Sequence, residues 1–232
     1  MKHWIWLPVL LIALLVALFI MYLGLRKRNQ RLLAKKEEKE QFIRQVIMAF
    51  AKCIDMKDEY TNGHSFRVAE YSVLLADKMG YTEEECKDIY NIALLHDIGK
   101  ISIPDRILGK PEKPTDEEYE ILREHAKKGY DILKDIAIMP QLAIGAGYHH
   151  ERMDGKGYPR GVKGDEIPLI AQIIAVADTF DAMYSTRPYR KQMDLKEAVE
   201  ELKRVSGTQL SEVVVSKLEE LVEEGRISEI KL

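Results

Sequence analysis

The stretch HSFRVAEYSVLLADKM, residues 64–79, decides the fold, because Val68, Tyr71, Ser72, Leu75 and Met79 recur at the three- and four-residue spacing of one helical face. No run beyond residue 50 alternates with period two for long, so the chain reads as an all-α bundle. Downstream, Thr115 with Glu118 three residues on forms a capping box ahead of Tyr119, Leu122 and His125, and so predicts a helix start. Between Arg152 and Pro168 the rhythm breaks. Gly155, Gly157, Gly161 and Gly164, with Pro159 and Pro168, predict a shaped loop there.

Upstream, Ile5 to Leu25 reads IWLPVLLIALLVALFIMYLGL, a stretch of 21 residues without a charge. As a helix it is long enough to cross the ~30 Å hydrocarbon layer. Trp4, Trp6 and Tyr22 stand near its ends, where amphipathic rings favour the headgroup zone. A cleaved signal peptide would have a shorter apolar core and a small-residue cleavage site, which is not found here. Arg26, Lys27, Arg28, Arg31, Lys35 and Lys36 follow the span, against Lys2 before it, so the positive-inside bias puts the rest of the chain in the cytoplasm. The expected division is therefore a transmembrane helix over 1–25, a basic helical linker over 26–50 and a catalytic domain over 51–232. In the linker Phe42, Ile43, Val46, Ile47 and Phe50 keep a helical rhythm, too short a pattern to assert a coiled-coil dimer but compatible with a homodimer.

The composition is that of an ordinary globular chain of 232 residues, 46% hydrophobic and 31% charged, with a formal charge of −3. That balance argues against long nucleic acid as a partner, while a local basic cluster could still grip a small phosphate ligand. Cys53 and Cys86 lack the close spacing of a zinc or redox pair and are expected to be reduced and buried.

The chemistry lies in histidines and aspartates. His64 opens a helix, His96 and Asp97 are expected to lie adjacent on another in LLHDIGK, His125 lies in REHAKKG, His149 and His150 are adjacent in GYHHER, and Asp178 sits in AVADTFDAM. A lone histidine on an apolar helix is usually a hydrogen-bonded core residue. Together, neutral imidazoles mixed with carboxylates suit divalent Fe, Mn, Co, Ni or Zn better than Ca or Mg. The set is too large for one ion with an open position, which implies two, and the short carboxylate of Asp97 is well placed to bridge them.

The strings TNGHSFRVAEYS, ALLHDIGKISIPDRIL, HAKKGYDIL, HHERMDGKGYPRGVKGDEIP and IIAVADTFDAMYSTRPYR resemble the HD-GYP family, a branch of the HD phosphohydrolases, over roughly residues 55 to 210. The resemblance implies an HD-domain helical bundle with an irregular GYP loop. By it, His64, His96, Asp97 and Asp178 are ligands of a first metal, and His125, His149 and His150 of a second, with Asp97 shared. It implies that Lys100 contacts a substrate phosphate, that Arg187 and Arg190 hold the other phosphate and guanine, and that Asp97 and Lys100 are catalytic. Gly157, Tyr158 and Pro159 are the signature itself, expected to shape the loop and to meet partners, including diguanylate cyclase (GGDEF) proteins, rather than to act in catalysis. Two departures stand out. Tyr60 occupies the position where some members place a third-metal glutamate, with Glu59 beside it on a different face, so a two-metal centre is expected; and Gln172 replaces the usual arginine.

The implied activity is hydrolysis of cyclic di-GMP to linear pGpG, and on to GMP, through a hydroxide shared by two divalent ions, Fe or Mn first among them. The implied location is the bacterial inner membrane, single-pass, with the domain in the cytoplasm. Rival readings are an HD phosphohydrolase acting on another nucleotide and a non-hydrolysing cyclic dinucleotide receptor or adapter.

Overall fold

The computed structural model describes residues 6–58, 63–185 and 192–227. Those residues form helices α1 (Trp6–Lys57), α2 (His64–Lys78), α3 (Glu83–Leu94), α4 (Asp105–Leu108), α5 (Asp116–Leu133), α6 (Gln141–Tyr148), α7 (Leu169–Tyr184), α8 (Leu195–Val205) and α9 (Glu212–Glu223). Among them no strand occurs, only an isolated bridge between Ser206 and Leu210. The all-α expectation therefore holds. The chain divides into two compact units, Met1–Val46 and Ile47–Leu232.

In the first unit α1 is apolar and long enough to cross a membrane, and none of its most apolar 18-residue window is buried within the chain. In the second unit the end of the same helix turns Ile47, Ala51, Ile54 and Asp55 inward at helical spacing. Cys53 lies off that stripe and is exposed, contrary to the expectation that both cysteines are buried; Cys86 is buried.

The organising element of the second unit is α7. Its sequence LIAQIIAVADTFDAMY is apolar nearly all round, as befits a helix with neighbours on several sides. It packs against α2, α6, α8 and α9. Phe180 meets Tyr71 of α2 edge to face at 5.0 Å, and both rings are almost fully buried. Each such side chain contributes about 1.5–3 kcal/mol on removal from water.

Helix ends follow local chemistry. Thr115 and Glu118 form the expected reciprocal cap at the start of α5, and Thr82 with Glu85 does the same for α3. One expectation is corrected: His96 and Asp97 do not ride on a helix. α3 ends at Leu94, and a turn carries the pair into a 3-10 helix, Ile98–Ser102, packed against α5. The tightening is local, with Ile98 N–H donating to Leu95 O at 3.1 Å and Lys100 N–H to Asp97 O at 2.9 Å.

Candidate metal centre

Five elements bring the histidines and aspartates together. His64 is the first residue of α2, His96 and Asp97 occupy the turn after α3, His125 lies on α5, His149 and His150 follow the last turn of α6, and Asp178 is on α7. Their ligand atoms gather in two groups, Asp97 with His125, His149 and His150, and His64 with His96 and Asp178, each within 4.8 Å. Asp97 faces both. Its Oδ1 lies 3.3 Å from His125 Nε2 and 3.8 Å from His149 Nε2. Its Oδ2 lies 3.5 Å from His96 Nε2 and 3.9 Å from His64 Nε2. One carboxylate thus offers an oxygen to each group.

The imidazoles are oriented from behind. His96 Nδ1 sits 2.7 Å from Ala93 O, His125 Nδ1 2.7 Å from Leu122 O, and His149 Nδ1 2.9 Å from Ala146 O. A backbone carbonyl can only accept, so each Nδ1 carries the proton and each Nε2 is left with a lone pair aimed at the centre. His96 Nε2 is buried and has no hydrogen-bond partner. A buried acceptor left bare costs about 1–3 kcal/mol, and a divalent cation removes that penalty. The donor set therefore fits a pair of cations.

His64 is held differently. Its Nδ1 lies 2.7 Å from Asp181 Oδ2, and Asp181 also receives Arg67 Nε at 2.6 Å and Ser185 Oγ at 2.8 Å. Sequence reasoning missed Asp181, although its place three residues after Asp178 puts it on the same helical face. It is a carboxylate–histidine pair of the kind that orients metal ligands, and removing it costs 10- to 100-fold in metal affinity as a rule. Asp181→Asn is accordingly expected to weaken binding at the His64 group by about that factor, read by chelator competition, while leaving the His125 group filled.

The charges suit cations. Burial and neighbouring imidazoles push His149 and His150 down, His150 to about 3, so both stay neutral. Burial opposes ionised Asp97, but the Lys100 ammonium and the surrounding imidazoles hold it well below the usual carboxylate range. For His64 burial opposes the charged form, yet hydrogen bonds to Asp178 and Asp181 raise it to about 9. A proton on His64 must leave before a cation takes Nε2, and it leaves more easily as pH rises. Affinity for Mn2+ is therefore expected to climb by about tenfold per pH unit from 6 towards 9, and a flat profile would contradict a protonated His64 in the metal-free centre.

Lys100 Nζ reaches Asp97 Oδ2 and Asp58 Oδ2, both at 2.8 Å. Asp58 carried no signal in the sequence, because the pairing spans 42 residues. Arg187, Arg190, Glu59 and Tyr60 lie outside the described residues. Gln172 donates to Ile167 O at 2.8 Å, a contact at the foot of α7.

The Gly- and Pro-rich segment is the expected irregular loop, pinned at several points. Arg160 N–H donates to buried Glu151 at 2.7 Å, its guanidinium reaches Gly147 O at 2.7 Å, and it lies over Tyr130 and Tyr148. Tyr158 turns inward rather than presenting its ring to solvent, stacking on His150 with centroids 4.7 Å apart.

Residues 48–211 match the HD domain family. The chain is 43% identical over 202 residues to a cyclic di-GMP phosphodiesterase of Thermotoga maritima, covering 84% of this chain and 55% of that protein. It is 44% identical over 154 residues to the 3'3'-cGAMP-specific phosphodiesterase 3 of Vibrio cholerae, covering 66% of this chain and 34% of that one. It is 42% identical over 165 residues to the cyclic di-GMP phosphodiesterase response regulator RpfG of Xanthomonas campestris pv. campestris, covering 70% and 44%. The chain thus spans about half or less of these relatives. In structure it is similar to a cyclic GMP-AMP specific phosphodiesterase of V. cholerae, with a TM-score of 0.60 at 20% identity, covering 78% of this chain and 49% of that one. It is also similar to Bd1817, an HDG"Y"P protein of Bdellovibrio bacteriovorus, with a TM-score of 0.56 at 20% identity, covering 69% and 51%. Both show the fold alone.

Proposed function

Because the chain belongs to the HD-GYP branch of the HD domain family, we propose that it is a metal-dependent phosphodiesterase that opens cyclic di-GMP to linear pGpG. The observation that carries this reading is the convergence of two ligand groups on the two oxygens of Asp97. His64, His96 and Asp178 would hold one divalent ion and His125, His149 and His150 the other, with Asp97 common to both. When bound, such ions supply Lewis acidity that activates water and offsets charge on a phosphodiester. The chain's own residues do the rest. Carbonyls of Ala93, Leu122 and Ala146 fix which imidazole nitrogen faces the centre where the ions would sit. Lys100 keeps Asp97 ionised and sets a positive charge beside it. Iron or manganese fits the mixed imidazole and carboxylate donors.

The same reading places the chain in the bacterial inner membrane through its apolar helix, with the domain in the cytoplasm. The GYP loop would serve as a surface for GGDEF cyclases, and the linker would support a homodimer. A second substrate, the hybrid cyclic GMP-AMP, is favoured by the similarity to the V. cholerae enzyme named for it.

The test is turnover by the full chain in detergent, purified anaerobically and given Mn2+ or reduced iron, with cyclic di-GMP and the hybrid supplied separately. Metal-dependent appearance of pGpG is expected. Intact cyclic di-GMP under every metal, or equal turnover after chelation, would refute the proposal.

A further inference from the structure

Five imidazoles face the centre, and four are fixed through Nδ1: His96, His125 and His149 by backbone carbonyls, and His64 by Asp181. For His150 no such hydrogen bond is found among the described residues. The torsion about a histidine Cβ–Cγ bond is broad, so an imidazole without a partner swings and holds a cation poorly. His150 has a ring on its face instead. Tyr158 stacks on it with centroids 4.7 Å apart and an interplanar angle of 29°. The same ring stands edge-on to His125 at 6.3 Å, so Tyr158 meets two of the three imidazoles of one ligand group.

The loop presses that ring into place. Tyr158 N–H donates to His150 O at 3.2 Å, and two residues on Arg160 N–H donates to Glu151 at 2.7 Å. A Cβ on Gly157 would stand 2.5 Å from Arg152 N and 2.6 Å from His150 O, so only glycine allows the two segments to lie this close. The Arg123 guanidinium lies over the Tyr158 ring at 4.6 Å and gives it a second planar neighbour. The Tyr158 hydroxyl makes no hydrogen bond among the described residues, which leaves the flat ring as its contact with the centre.

We infer that Tyr158 is the positioning residue for His150. Its ring does for that ligand what a carbonyl or carboxylate does for the other four, and Gly157 with Tyr158 forms a clamp on the His125, His149 and His150 group. This inference rests on the two-cation reading proposed above.

The test uses the full chain in detergent, purified anaerobically and titrated with Mn2+ against a chelator. Tyr158→Phe keeps the plane; Tyr158→Leu and Tyr158→Met fill the space without one. Circular dichroism of the metal-free chains identifies which of the two non-planar variants keeps the wild-type fold, and that one is compared. It is expected to bind one Mn2+ as the wild type does and the other about 5- to 50-fold more weakly, while Tyr158→Phe stays within about twofold on both. Placed in a His150→Ala chain, the same substitution should change the affinity for the remaining ion by less than about twofold. The inference is overturned if the non-planar variant binds both ions with wild-type affinity, if both affinities fall equally, or if Tyr158→Phe is as impaired as the non-planar variant. Failure of both non-planar variants to fold without metal would also overturn it, since Tyr158 would then support the domain rather than one ligand. A wild-type chain that holds fewer than two Mn2+ would sink the proposed centre and this inference together; a wild type with two, unchanged in the non-planar variant, would sink the inference alone.

Discussion

Asp97→Ala is expected to abolish turnover, by more than about a thousandfold, and to empty both ligand groups at once. A cation pair contributes several kcal/mol to a phosphodiester transition state, and each 1.36 kcal/mol is a factor of ten, so its loss is worth on the order of three decades. Among the described residues Asp97 presents an oxygen to each group, Oδ1 towards His125 and His149 and Oδ2 towards His96 and His64. His150, which belongs to one group only, provides the contrast. Its replacement by alanine should cost one cation and leave the other. Elemental analysis of the two variants beside a turnover assay separates the cases; an Asp97→Ala chain that keeps either ion, or that still turns over normally, contradicts the shared-carboxylate assignment.

Gly99→Ala is expected to give the largest loss of stability and to loosen the centre with it. A Cβ at Gly99 would stand 1.9 Å from His125 O and 2.6 Å from Gly129 N. These are backbone atoms and cannot swing aside as a side chain can. The 3-10 helix would have to lift off α5, carrying Asp97 away from His125. Overpacking of this kind costs about 3 kcal/mol or more, which for a domain of this size lowers Tm by roughly 6–12 °C. Thermal unfolding followed by circular dichroism checks the first effect, and metal content checks the second. A variant with wild-type Tm and full metal occupancy would show that the close approach of the 3-10 helix to α5 is not needed.

Much of this architecture was legible because it is written in local patterns. Val68, Tyr71, Ser72 and Leu75 declare a helical face by spacing alone, and all are buried. Thr115 and Glu118 mark a helix start whose hydrogen bonds close within three residues. The glycines and prolines after Arg152 announce a loop. What escaped depends on distant parts of the chain. The turn that removes His96 and Asp97 from α3 is set where Gly99 presses on α5, and nothing in LLHDIGK states that contact. Asp58 meets Lys100 across 42 residues. Arg123 acquires its place by lying over Tyr158, a ring contributed by a loop far along the chain. The inward turn of Tyr158 has the same origin, since Tyr158 N–H donates to His150 O at 3.2 Å. Asp181 is the instructive case, because the three-residue step from Asp178 carried the signal and only its partner, His64, was hidden.

The account stands most directly on the number of cations per chain. Full-length protein purified anaerobically, supplied with manganese or reduced iron, freed of loosely held ions and analysed by elemental spectrometry should contain two per chain. A content of one or none under each metal offered would contradict it.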